Sequence, residues 1–211
     1  MKRFLAQALL KGVLVVLMAG APAGMVLAAE EPEETRTSEK PDHDPETVLE
    51  KRAAHLDALF DSLAAAESAT QAEPIEDMIW SVWRQSGSAS VDLLMARGLE
   101  ALAEGELDRS LTYFDQVVIL APAYPEGWNK RATIHFMRDD YGRSVADIAE
   151  VLRLEPRHFG ALGGLALILT DTGDKESALE AYRQVLKVHP WLDGAREAAD
   201  ALRVDVEGRG I

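Results

Sequence analysis

Apolar side chains recur along this chain at three- and four-residue steps, in short blocks separated by Gly, Pro and Ser. Val48, Leu49, Leu56, Leu59, Phe60 and Leu63 form one stripe, and Ile75, Met78, Ile79, Val82 and Trp83 form another. Spacing of that kind places the residues on one face of an α-helix. It predicts a helix within 46–68 and a second that ends at Gly87-Ser88, where Ser88 or Ser90 can cap the next. Six more helices are expected at 91–103, 108–120, 125–138, 143–154, 159–171 and 175–188. A last one, over 191–203, starts on Trp191-Leu192 and turns polar through Arg196, Glu197, Asp200 and Arg203; the tail 204–211 follows it.

Upstream of these blocks the pattern changes twice. Residues 1–28 begin with Lys2, Arg3 and Lys11, run through a short apolar core at 12–21, and end on Val26-Leu27-Ala28 after the breakers Pro22 and Gly24. That order is the order of a secretory signal peptide, and the core is short against the roughly 20 residues a membrane span needs. An uncleaved anchor, with residues 5–10 lengthening the run, is the competing reading. The expected destination after cleavage is a periplasm, with full secretion left open and no stable membrane insertion. Residues 29–45 are rich in Glu, Asp and Pro and lack large apolar side chains, so they are read as a disordered acidic linker. Asp42-His43-Asp44 within it has metal-ligand residue types, but a floppy tether bears the full ordering cost of such a site.

The helical blocks share a period. Pro122, Pro156 and Pro190 are 34 residues apart, and alignment on them brings the other positions into register. Position four is Leu94, Trp128 and Leu162; position eight is Gly98, Ala132 and Ala166; position twenty is Ser110, Ser144 and Ala178. Position twenty-four is Phe114, Ile148 and Tyr182, and position twenty-seven is Val117, Val151 and Val185. Small residues at eight and twenty let two helices approach while large ones fill the space between. Gly105 and Gly173 stand where the first helix of a unit turns into the second; in the middle unit Asp139-Asp140 and Gly142 must serve. As a buried position-four residue, Trp128 is expected to cost about 3–5 kcal/mol on truncation to Ala.

This 34-residue helix-turn-helix with large, small, small, large and Pro at fixed places resembles the tetratricopeptide repeat over residues 91–190. Arg97 and Arg131 at position seven, and Ala101 and His135 at position eleven, depart from the family's usual apolar and aromatic residues. The resemblance implies an all-α fold, a right-handed solenoid of helical hairpins. Three units and a capping helix would occupy 91–203, with residues 46–90 as an N-terminal helix pair, either a degenerate repeat or a cap.

Composition narrows the function. With 36 acidic against 22 basic side chains the net charge is -14, which repels nucleic acid. Cleavage of the leader removes three cations and makes the chain more acidic still. The chain has no cysteine, so disulfides, thiolate catalysis and Cys-ligated zinc are excluded together. None of His43, His55, His135, His158 and His189 pairs with another at helical spacing, as a two-His metal site on one helix would require. His158 and His189 flank repeat boundaries and are expected at the surface. Gly160, Gly163 and Gly164 lie in a helix without the Lys-Ser or Lys-Thr of a phosphate loop; they permit close backbone approach, to a neighbouring helix or to a ligand. No nucleophile and base can be placed together, so no enzyme and no cofactor is expected.

In the family the first helices of the units line a concave face that binds a peptide or helix. Carried over by position, that face holds Met95, Leu99, Leu102, Asn129, Thr133, Phe136, Met137 and Leu167, an apolar lining flanked by acids. The family's carboxylate clamp is approached only by Asn129 and Lys130, which disfavours a receptor for acidic tails. A periplasmic adaptor or scaffold that binds other proteins of the cell envelope is the leading expectation. The alternative is a structural, self-associating protein whose groove is filled by its own segment 46–68 or by a second copy.

Overall fold

The computed structural model describes residues 45–208, so the expected leader 1–28, linker residues 29–44 with Asp42-His43-Asp44, and the last three residues lie outside it. Every element among the described residues is helical. In chain order they are α1 (Pro45–Ala65), α2 (Ala69–Trp83), α3 (Ala89–Ala103), α4 (Leu107–Leu120), α5 (Pro125–Met137), α6 (Tyr141–Leu154), α7 (Phe159–Thr172), α8 (Lys175–Val188) and α9 (Ala195–Glu207). Helices α3–α4, α5–α6 and α7–α8 pair as three hairpins. Each second helix packs on the first helix of the next unit, and α9 closes the stack against α8. This is the helical-hairpin solenoid that the 34-residue period implies.

The small positions do what their size allows. A Cβ at Gly98 would come within 2.6 Å of the Phe114 ring, so only glycine lets α3 lie this close to α4. The serines at position twenty fasten the same approach: Ser110 Oγ donates to the Gly98 carbonyl at 2.8 Å and Ser144 Oγ to the Ala132 carbonyl at 2.9 Å. In the third unit Ala166 and Ala178 face each other dry in one apolar cluster. The turns follow the expected division of labour. Gly105 and Gly173 adopt positive φ, and in the middle unit Asp139 takes the left-handed conformation, which Asp tolerates better than most residues. Asp140 then caps α6, its side chain accepting from the Arg143 amide.

Arginine at position seven of the middle unit is accommodated by pairing. Arg131 reaches Asp147 on α6 through Nε at 2.8 Å and Nη2 at 2.7 Å, touches Asp115 on α4 at 3.0 Å, and lies over the Trp128 ring. A two-pronged pair of this kind ties three helices together. Trp128 is consequently only half-buried, its indole Nε1 donating to the Pro122 carbonyl at 2.9 Å.

Two boundaries differ from the sequence reading. The capping helix, expected over 191–203, starts at Ala195 and continues to Glu207 into the expected tail. Trp191 and Leu192 are drawn instead onto the N-terminal helices: Trp191 Nε1 donates to the Ala66 carbonyl at 2.8 Å, and Leu192 packs on the α1–α2 cluster. Gly194, at φ 71°, then turns the chain into α9. The surface expectation for His158 and His189 is also overturned. Both are buried, because the α1–α2 pair folds back over the turns that carry them.

Candidate protein-binding groove

The first helices α3, α5 and α7 carry the expected lining, and the structure divides it into three parts. Met95 is turned inward, packed with Val91, Phe114, Val117, Tyr124 and Ile134 in the core of the first unit. Its apolar side chain serves that core, so it lines no surface. Asn129 and Thr133 are also buried: Asn129 Nδ2 donates to Glu126 Oε2 at 2.9 Å, and Thr133 Oγ1 donates back to the Asn129 carbonyl. Leu99, Leu102, Phe136 and Leu167 are half-buried, and Met137 is 46% exposed. Leu99 and Leu102 rest on the first unit's core; Phe136 rests on the core of the second and third units, with its ring centroid 5.8 Å from Tyr141. These five residues of the expected lining each keep part of their apolar side chain open. The crevice between α5 and α7, lined by Asn129, Thr133, Phe136, Gly160 and Gly164, is closed to about 10 Å³.

The other end of the face is covered by α1 and α2. Trp83 stacks flat on the His158 imidazole, with ring centroids 4.1 Å apart and 7° between planes, and Trp80 meets His158 and Phe159 edge-on. A Cβ on Gly160 would lie 2.7 Å from Trp80, so this glycine admits a neighbouring helix of the same chain. The pair is fixed further by Tyr124 Oη donating to the Arg84 carbonyl at 2.9 Å and by Arg157 pairing with Asp57 at 2.8 Å. His189 Nε2 lies 3.1 Å from Glu76. Segment 46–68 therefore does lie against the repeats, with Phe60 beneath the Arg157 guanidinium, but α2 supplies the ring-on-ring contacts.

Beneath the pair sits a buried polar cluster. Glu126, 1% exposed, meets the Lys130 ammonium at 2.9 Å, His158 Nε2 at 3.1 Å and the Asn129 amide. His158 Nδ1 accepts from the Ala161 amide at 3.1 Å. That bond leaves the proton on Nε2 to be donated to Glu126. Burial by itself would raise the Glu126 carboxyl; Lys130 and His158 outweigh it and hold the group well below the ordinary carboxylate range. Lys130 also lies 5.7 Å from the centre of the Trp80 ring. Asn129 and Lys130, the two residues nearest to a carboxylate clamp, are thus already engaged by a carboxylate of their own chain.

The sequence held a signal for this cluster. Glu126 and Lys130 stand at i and i+4 on a helix, where opposite charges meet. Counting from the repeat prolines, Tyr124, His158 and Leu192 occupy one equivalent position, and all three touch the N-terminal pair. No metal-binding group of three His, Cys, Asp or Glu occurs among the described residues, and no described helix is long and apolar enough to cross a membrane.

Comparison with known proteins agrees with this architecture. The tetratricopeptide repeat family model matches residues 95–149 and 138–191. A TPR repeat-containing protein of Rhizobium etli is 36% identical over 167 residues, covering 76% of this chain and 82% of that one. Among solved structures, the Sgt2 TPR domain of Aspergillus fumigatus superposes with a TM-score of 0.54 at 22% identity, covering 58% of this chain and 84% of that domain. The first TPR of Spaghetti, solved with the HSP90 peptide SRMEEVD, superposes at 0.53 and 16% identity, covering 56% and 93%. The chain belongs to the tetratricopeptide repeat family.

Proposed function

We propose that this protein is an exported adaptor that holds another protein of the cell envelope against the open half of its groove. The observation that carries the reading is the row Leu99, Leu102, Phe136, Met137 and Leu167, left partly uncovered on a chain of charge -14. Apolar side chains gathered on an otherwise charged surface mark an interaction site, and a methionine adapts to varied partners. The occupant is an amphipathic helix or extended segment with apolar anchors and basic flanks. A partner with an acidic tail, such as the peptide held by the Spaghetti domain, is disfavoured because Glu126 occupies Asn129 and Lys130. The export half of the proposal rests on the leader-like order of residues 1–28.

A photocrosslinking side chain at Met137, in the source cells, tests the binding half. One dominant adduct with another envelope protein is expected; adducts confined to cytoplasmic proteins would sink the proposal. The mass of the mature chain tests export, with cleavage after Ala28 or Ala29 expected. The cover that α1 and α2 place over part of the face favours a second reading, a self-associating structural protein. Met137 adducts only to a second copy, together with concentration-dependent sedimentation, would establish that reading instead.

A further inference from the structure

The α1–α2 pair meets the repeats in a way that no other helices among the described residues meet. The repeats hold three apolar clusters of their own, centred on Phe114 and Val117, on Ile148 and Val151, and on Tyr182 and Val185. The pair has a fourth cluster, made of Leu56, Leu59, Phe60, Leu63, Ala72, Ile79, Val82 and Trp83, to which the repeats contribute a single fully buried side chain, Phe159. Neither α1 nor α2 lies along a repeat helix as the two helices of a unit lie along each other. In particular α2 leaves empty the place before α3 that a preceding unit would fill. Leu93 is 59% exposed there, whereas its equivalents Gly127 and Ala161 are buried by the preceding unit. The pair has its own core and is docked on the solenoid, outside the stack.

The docking is incomplete in physical terms. It buries the Glu126–Lys130 ion pair, two groups that water would otherwise solvate. It leaves the Trp83 indole N–H buried without an acceptor. A cleft of about 350 Å³ separates Arg52, Ala53 and Leu56 of α1 from Ala121, Ala123 and Tyr124 of the first inter-unit turn. The connection to α3 passes through Gly87 at φ 79°, where a Cβ would meet nothing within 4 Å. A separate core, a polar underside and a glycine hinge together describe a segment that can leave without unfolding what it covers.

We propose that the α1–α2 pair is a displaceable internal ligand, and that the edge of units two and three beneath it accepts in its place a partner helix with the chemistry of α2. That chemistry is two aromatic rings at i and i+3, as in Trp80 and Trp83, with a carboxylate one turn earlier, as in Glu76. Trp83 reads the face of His158, Trp80 fits the gap at Gly160 beside the Lys130 ammonium, and Glu76 meets His189. Displacement uncovers Glu126, Asn129 and Gly160 and joins them to the open apolar row, lengthening the groove. The lengthening rests on the adaptor reading above; the exchange itself does not.

The experiment uses the whole chain with a fluorescent synthetic peptide of residues 45–87 as the probe. A chain carrying Trp80→Ala, with its own pair weakened, is expected to bind the peptide at least tenfold more tightly than the unaltered chain. Because the chain has no cysteine, Asp57→Cys with Arg157→Cys, closed by a short bis-maleimide, holds the pair down and is expected to abolish binding. Equal binding by the tethered and untethered chains would overturn the proposal. So would absence of binding to the Trp80→Ala chain while circular dichroism shows its repeats folded. Hydrogen exchange on the unaltered chain gives an answer free of any variant. Amides of α1 and α2 are expected to exchange at least tenfold faster than those of α5–α8, and exchange in one common event would refute the displaceable pair. Loss of the Met137 crosslink with peptide exchange intact would remove the adaptor reading and leave this one standing.

Discussion

The three repeat units and the N-terminal pair are built from the same kinds of helix, yet they are held by different chemistry. Within the units the contacts repeat: a large ring or branched side chain against a small one, a serine hydroxyl on a carbonyl, a proline at the exit. Between the pair and the units one position recurs, in Tyr124, His158 and Leu192, but the contact it makes differs each time. A tryptophan stacks on a histidine, a tyrosine hydroxyl donates to a carbonyl, and an arginine reaches an aspartate. Periodic packing spreads stability over many equivalent contacts and makes each unit depend on its neighbours. The aperiodic interface concentrates its hold in a few side chains, so single substitutions should separate the two regions.

The sharpest break is expected at Phe159, the one fully buried residue of the repeats that enters the pair's cluster. Phe159→Ala should cost about 3–5 kcal/mol, the range for deleting a buried ring, measured as a shift in urea midpoint. Much of that loss should appear as detachment of the pair, seen as a change in tryptophan emission ahead of the loss of helix. A single transition with both signals coincident would mean that the pair and the units are one cooperative body.

A paired substitution makes the same comparison at equal chemistry. A methyl group at Gly98 would meet the Phe114 ring at 2.6 Å and one at Gly160 would meet Trp80 at 2.7 Å. Inside a unit the ring has no room to retreat, so Gly98→Ala should cost the upper part of the roughly 1–3 kcal/mol range for overpacking. At Gly160 the pair can shift as a body, so Gly160→Ala should fall at the lower end and alter tryptophan emission more than the unfolding midpoint. The reverse order would show that the pair is the more rigid region.

The same contrast explains what could be read in the residues themselves. The period, the hairpins and most helix ends were legible because each is fixed by local spacing: Pro122, Pro156 and Pro190 close their units, and Gly105 and Gly173 turn where expected. The partial exposure of Leu99, Phe136 and Met137 also follows from position within the unit. The buried fates of Asn129, His158 and His189 do not, because no sequence rule states where an unrelated helix pair will fold back; Met95 turns instead into the core of its own unit. Trp191 and Leu192 read as the start of an amphipathic helix, but the neighbouring surface of α1 and α2 claimed them. Trp128 is the intermediate case. Its period is right, but Arg131 lies over its ring and part of it faces solvent. Its truncation should therefore cost about 1–3 kcal/mol, nearer to a partly buried side chain than to a core one, again as a shift in urea midpoint. A loss above that range would place the ring in the core after all.

The smallest expected effect comes from His135, in the polar seam of the middle unit. Its imidazole is buried 3.9 Å from Asp147, whose oxygens are already taken by Arg131. Burial lowers the imidazole below its ordinary value of 6.5, and Asp147 only partly opposes this. A histidine depressed in the folded state stays neutral there while its unfolded counterpart takes up a proton. Between the depressed value and about 6.5 the unfolded chain thus binds more protons, and stability falls as pH is lowered through that window. Urea midpoints of the unaltered chain and of His135→Asn, compared at pH 7.5 and 5.5, isolate this contribution from the rest of the titration. The unaltered chain should lose more stability than the variant over that interval. Equal losses would mean that Asp147 offsets the burial in full, and that the seam at Arg131 tolerates a second positive charge.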